Sequence, residues 1–98
     1  MATTRLRYQD RLAGASNYVI WKARMSFLLD EFGLKTYAEN VVAVPTDVDQ
    51  LTEYKKEMAK AKWMILEGVR DHIVWHIFGK NTAKDMLDAL AQLYQNPS

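Results

Sequence analysis

The stretch that decides the fold is YVIWKARMSFLLDEF, residues 18–32. Its large apolar side chains recur every three or four residues, which places them on one face of a helix. These positions are Tyr18, Trp21, Met25, Leu28, Leu29 and Phe32. Ser16 or Asn17 can cap the start of this helix, and Gly33 suits its end. We therefore predict a helix here with this face in the core.

The same helix is also apolar on nearly the opposite side, where Ile20, Ala23 and Phe27 lie. A helix with two apolar faces is either surrounded by other helices or contacts a partner through its second face. The sequence leaves both interpretations open.

A short turn over residues 34–37 and a loop over residues 40–49 should follow, since Pro45 breaks the helical pattern. A second long helix is predicted from residues 46–49 to Leu66 or Gly68. Its apolar stripe consists of Leu51, Tyr54, Met58, Ala61 and Ile65. Gly68 weakens the helix and favours a bend at its end.

Residues 71–78 indicate a short third helix with Ile73 and Ile77 inward, although their β-branched side chains leave a strand as the alternative. The last helix should begin after Thr82, which with Asp85 resembles a capping box. Its docked face is predicted to hold Ala83, Met86, Leu87, Leu90, Leu93 and Tyr94. Together these elements predict an all-α, compact bundle of about four to five helices.

The chain has 98 residues, too few to divide between two independent cores, and 49% of them are hydrophobic. We therefore predict one helical domain over residues 16–98. Residues 1–15 mix basic and small side chains and are predicted to form an extended basic arm.

There is no cysteine, which excludes disulfides and thiolate zinc sites and is typical of a reducing compartment. The sequence has no apolar run near the roughly 20 residues of a membrane span, and its start does not resemble a signal peptide. We expect a cytoplasmic protein that does not contact membranes.

The net charge of +1 is unevenly distributed along the chain. Residues 1–24 carry five bases and one acid, residues 25–54 one base and six acids, and residues 55–98 seven bases and five acids. The resulting charges of +4, −5 and +2 favour contacts between copies more than a nucleic-acid surface, although solvated faces without a partner would give the same pattern.

Residues with catalytic or metal-binding potential are few. His72 and His76 would share one face of a helix, but no third ligand is evident, and Ile73 stands where a metalloprotease has glutamate. No serine lies in a nucleophile motif, and the four glycines are too dispersed for a phosphate-binding loop. We expect no catalytic residue, no metal, no cofactor and no small-molecule substrate.

Arg5, Arg7 and Arg11, with Tyr8 among them, form the basic group best suited to a weak contact with RNA through charge and stacking. The alternative is an ordinary solvated terminal segment.

Several motifs, in order, resemble those of copia-type retrotransposon Gag proteins. The pattern Gly14-x-x-Asn17-Tyr18-x-x-Trp21-x-x-x-Met25-x-x-x-Leu29 resembles the start of these proteins, and TAKDMLDAL at residues 82–90 resembles a later motif. The matching core positions are Tyr18, Trp21, Met25, Leu29, Ala61, Ile65, Leu90 and Tyr94. Leu12 and Leu87 depart from the family's usual aromatic residues but remain apolar.

The resemblance implies a fold like the amino-terminal domain of retroviral capsids and a structural function in a particle shell. It implies other Gag copies as partners and RNA bound mainly through regions outside this chain. The alternatives are a domesticated Gag-derived adaptor that binds another protein, and an RNA-binding module.

Trp63 and Trp75 should point away from the apolar stripes of their helices. We predict that they contribute to self-association together with Ile20 and Phe27, because tryptophan is enriched among the anchors of protein interfaces. The alternative is that the bend near Gly68 folds both indoles onto a neighbouring helix, where they would complete the core.

Overall fold

The computed structural model describes residues 6–95. This part of the chain is all-α, as predicted, with five α-helices and no strand. The helices are α1 (Tyr18–Glu31), α2 (Lys35–Glu39), α3 (Val48–Glu67), α4 (Asp71–Val74) and α5 (Ala83–Tyr94). Two 3₁₀ turns, Tyr8–Asp10 and Ala15–Asn17, precede α1.

A single apolar core lies between these helices. The short α2 packs against both α3 and α5, α5 also packs on α3, and α1 lies against α2 and α3. The buried side chains are Leu12, Tyr18, Trp21, Met25, Leu29, Leu34, Ala38, Met58, Ala61, Met64, Ile65, Val69, Ile73, Ile77, Ala83, Met86 and Leu90. The core therefore draws on every α-helix and on the segment before α1.

Side chains cap two of the three longer helices. Asp47 accepts a hydrogen bond from the Gln50 backbone N–H at 3.0 Å and begins α3. Thr82 accepts one from the Asp85 N–H at 3.0 Å and begins α5, as predicted. Asn17, by contrast, makes no side-chain cap on α1.

Residues 6–15 differ from the predicted arm because they belong to the packed domain. Leu12 is fully buried, and its backbone N–H and C=O bond to Gly68 and Arg70 at 2.9 and 3.0 Å. The Asn17 side chain binds the same segment, accepting from the Ala13 N–H and donating to the Arg11 carbonyl, each at 2.9 Å. The domain therefore starts before residue 16.

The Gly68 carbonyl joins three parts of the chain. It accepts hydrogen bonds from the Leu12 backbone N–H at 2.9 Å and from the buried Trp21 indole N–H at 2.8 Å. The end of the Met25 side chain packs where a Cβ at Gly68 would lie, so a larger residue there would make this side chain move. The bend predicted at this position is therefore also where α1 and the amino-terminal segment attach.

Three details of the predicted helices are wrong. The third helix covers only Asp71–Val74 and continues as turns through residue 79, with Ile73 and Ile77 inward as expected. Phe32 and Leu93, assigned to the apolar faces of their helices, are exposed. Phe32 lies just beyond the end of α1 and Leu93 lies in the last turn of α5.

Candidate protein-interaction surfaces

The residues of the Gag-like motif lie in the core. Seven of the eight matching side chains are buried: Tyr18, Trp21, Met25, Leu29, Ala61, Ile65 and Leu90. The eighth, Tyr94, is half-buried, with its ring centroid 6.2 Å from that of Tyr18. These residues hold the helices together, so any binding surface has to be formed by other side chains.

Four large side chains form what we call the aromatic patch: Trp63 and Leu66 on α3, and Trp75 and Phe78 after α4. Trp63, Trp75 and Phe78 are 58%, 77% and 60% exposed. The Trp75 and Phe78 rings meet edge to face, with centroids 6.1 Å apart. Both tryptophans therefore lie on the surface, and neither completes the core.

Two open hollows adjoin Trp63 and Leu66, and Trp75 reaches this area through its contact with Phe78. One, of about 220 Å³, is lined by Ala59, Lys62, Trp63, Leu66, Phe78 and Met86. The other, of about 210 Å³, is lined by Arg11, Trp63, Leu66, Glu67, Val69, Asp71 and Val74. Since Trp63 and Leu66 line both, they form a ridge between two depressions that side chains of a partner can fill.

A second apolar surface, the α1 outer face, consists of Val19, Ile20, Ala23 and Phe27. Val19, Ile20 and Phe27 are 81%, 53% and 78% exposed, and Ala23 is exposed as well. These residues lie on the side of α1 opposite Trp21 and its buried neighbours. Beside them is an open hollow of about 440 Å³, which Val19 and Ala23 help to line.

The structure places Ile20 with Phe27 on one surface and Trp63 with Trp75 on another. Val19, Leu66 and Phe78 were not predicted as members of these surfaces. Val19 adjoins Ile20, and Phe78 follows Trp75 by three residues, a spacing that puts neighbours together on a helical turn. That spacing was the available signal for Phe78.

The basic group near the amino terminus is partly paired. Arg5 lies outside the described residues. Arg7 binds the Asp10 carboxylate at 2.9 Å, and Arg24 contacts the same carboxylate at 3.3 Å. Arg11 is half-buried, with its guanidinium 5.9 Å from the centre of the Tyr8 ring. Arg7 is therefore paired with an acid, although 73% of its side chain stays exposed.

His72 and His76 are both exposed, and an imidazole nitrogen of His72 lies 2.9 Å from the Ala13 carbonyl oxygen. Within residues 6–95 no three His, Asp or Glu side chains are grouped so that they could hold a metal ion. Over the same residues, no helix combines the length and apolar character needed to cross a membrane.

Comparison with models of protein families, with curated proteins and with solved structures found no match. The function must therefore be inferred from the aromatic patch, the α1 outer face and the motifs of the sequence.

Proposed function

We propose that this chain is a non-catalytic self-association domain, and specifically the capsid-like amino-terminal domain of a copia-type Gag protein. In this function, the domain binds other copies of itself, and these contacts help to build a particle shell. The observation that carries the proposal is the aromatic patch, where two tryptophans and a phenylalanine are more than half exposed and two hollows adjoin Trp63.

Folding does not account for these side chains. The core already contains buried side chains from every α-helix, large ones such as Trp21 among them, without using Trp63, Trp75 or Phe78. Aromatic side chains in exposed clusters are typical of interface centres, where their large area is removed from water on binding. The aromatic patch is therefore best explained by a protein partner.

A second copy is the partner favoured by the sequence motifs. The Gag-like residues lie in the core, so they support the family fold rather than a particular interface. Asn17 illustrates this, since its side chain attaches the amino-terminal segment to α1 through Ala13 and Arg11. In a particle shell, identical subunits must contact each other through more than one surface, and this domain has two exposed apolar surfaces.

The test is the association of the purified chain measured by sedimentation over a range of concentrations. Trp63→Ala should raise the dissociation constant on the order of 30-fold, the effect of losing an interface anchor of about 2 kcal/mol. Val41→Ala, at an exposed position outside both surfaces, is the matched control and should leave association unchanged. Circular dichroism should show the same helical signal in all three proteins.

Three results would contradict the proposal and favour another function or another surface. A chain that stays monomeric at all concentrations would favour the adaptor, in which the same aromatic patch binds a different protein. If the Trp63→Ala variant melts at a lower temperature but associates normally, Trp63 contributes to stability and the aromatic patch is not the interface. RNA binding whose affinity falls steeply with salt would favour the nucleic-acid module instead.

A further inference from the structure

We infer that the α1 outer face binds the same face of a second copy, with the two α1 helices antiparallel and crossing at Ala23. The inference rests on the proposed function, because it specifies one of the contacts between copies. It concerns a surface separate from the aromatic patch and predicts the direction and register of the contact.

The shape of the α1 outer face suits close packing against a second helix. Val19, Ala23 and Phe27 follow one another at intervals of four residues, so they form a ridge that runs obliquely along α1. Ala23, the smallest of them, lies at the middle. A small residue at the crossing point lets two helix backbones approach closely, while the larger side chains on either side fill the space between the helices.

The charges at the two ends of α1 determine that the paired helices run antiparallel. The first turn of α1 has no acidic residue and no side-chain cap, and its last turn has no basic residue but contains Asp30 and Glu31. The two carboxylates oppose the helix dipole in the last turn, and the first turn lacks an acidic residue that would complement it. In an antiparallel pair, the carboxylates of one copy approach the positive helix start of the other, whereas a parallel pair would bring four carboxylates together.

The register follows from placing Ala23 on the two-fold axis. Phe27 then lies opposite the partner's Val19, four residues from the axis on either side. Lys22 and Arg24 flank the axis on either side of Ala23, and Arg24 contacts Asp10 at 3.3 Å, which reduces its repulsion from its symmetry mate. The apolar ridge meets itself across the axis, and the acidic helix end of each copy meets the helix start of the other, so the face is self-complementary, as a two-fold interface requires.

Cysteine cross-linking of the full chain tests this geometry, because the protein has no cysteine of its own. Ala23→Cys should form a disulfide-linked homodimer under mild oxidation. Val19→Cys and Phe27→Cys should each cross-link slowly alone and rapidly when mixed. Val41→Cys, at an exposed position outside both surfaces, gives the rate of random collision. The designed pairs should exceed it on the order of a hundredfold, since a bound partner presents its thiol at millimolar effective concentration.

Three outcomes would overturn the inference. Ala23→Cys that reacts no faster than Val41→Cys would exclude this face as a contact. Rapid self-reaction of both Val19→Cys and Phe27→Cys would show a parallel pair. Rapid reaction of Ala23→Cys with Ala59→Cys, which lines a hollow of the aromatic patch, would show that the α1 outer face binds that patch instead.

Sedimentation and cross-linking together distinguish a failure of the α1 contact from a failure of the proposed function. If association depends on Trp63 but the α1 variants react at the collision rate, the proposed function stands and the α1 contact fails. If Ala23→Cys dimerises rapidly while Trp63→Ala associates normally, the α1 contact stands and the aromatic patch loses its assigned function. A chain that neither sediments as multimers nor cross-links above Val41→Cys contradicts both.

Discussion

Replacing Trp21 by phenylalanine should destabilise the domain by about 2 kcal/mol without changing its fold, because one ring remains in the core. Trp21 is fully buried, and its indole N–H donates to the Gly68 carbonyl at 2.8 Å. The substitution removes this donor and the second ring of the indole.

The magnitude is the sum of two terms. The hydrogen bond contributes on the order of 1 kcal/mol, at the lower end of its range because Gly68 keeps its bond from the Leu12 N–H. The side chain is roughly 40 Å³ smaller, and at ~24 cal/mol per Å³ the cavity costs about 1 kcal/mol. Trp21→Ala removes both rings and should cost about 3 to 5 kcal/mol.

Thermal melting followed by circular dichroism measures the effect. For a domain of this size, a loss of about 2 kcal/mol lowers the melting temperature by roughly 8 to 16 °C. Trp63→Phe is the matched control: it makes the same chemical change at an exposed site and should alter stability by less than about 0.5 kcal/mol. Equal melting temperatures for Trp21→Phe and the unmodified chain would refute the reasoning, as would an equal loss in Trp63→Phe.

Three other predictions concern the amino-terminal segment, pH and metal. Leu12→Ala should cost about 2 to 5 kcal/mol in denaturant unfolding, because Leu12 is fully buried, whereas a free arm would show no loss. Burial, and then the Asp88 charge, raise the pKa of Tyr18 above its ordinary value of 10.0. Because folding therefore favours the neutral phenol, the stability should hold below pH 10 and fall above it, and Tyr18→Phe should reduce that fall. Chelator should leave the melting curve unchanged, and a zinc-restored loss that disappears in His76→Ala would contradict our interpretation of His72 and His76.

The helices were predictable because their signals are local. The spacing of Tyr18, Trp21, Met25 and Leu29 defines the buried face of α1, and the start of α5 follows from Thr82 and Asp85. Each signal depends on residues within one or two helical turns. Helical geometry also correctly predicted the exposure of Trp63 and Trp75.

The attachment of the amino-terminal segment was not predictable from such signals. Leu12 pairs with Gly68 and Arg70, more than 50 positions away, and nothing near Leu12 indicates this partner. The exposure of Phe32 likewise depends on where neighbouring elements stop. The extent of the aromatic patch was missed for the same reason, since it joins α3 to the turns after α4 through Phe78.

The distribution of the three tryptophans gives the protein separate optical signals for folding and for association. The buried Trp21 indole is held by a hydrogen bond, whereas Trp63 and Trp75 are exposed in the monomer. A soluble quencher should therefore reach two of the three fluorophores until the aromatic patch is covered. Protection of that fluorescence would then report contact between molecules, while the near-ultraviolet dichroism of Trp21 reports whether each molecule remains folded.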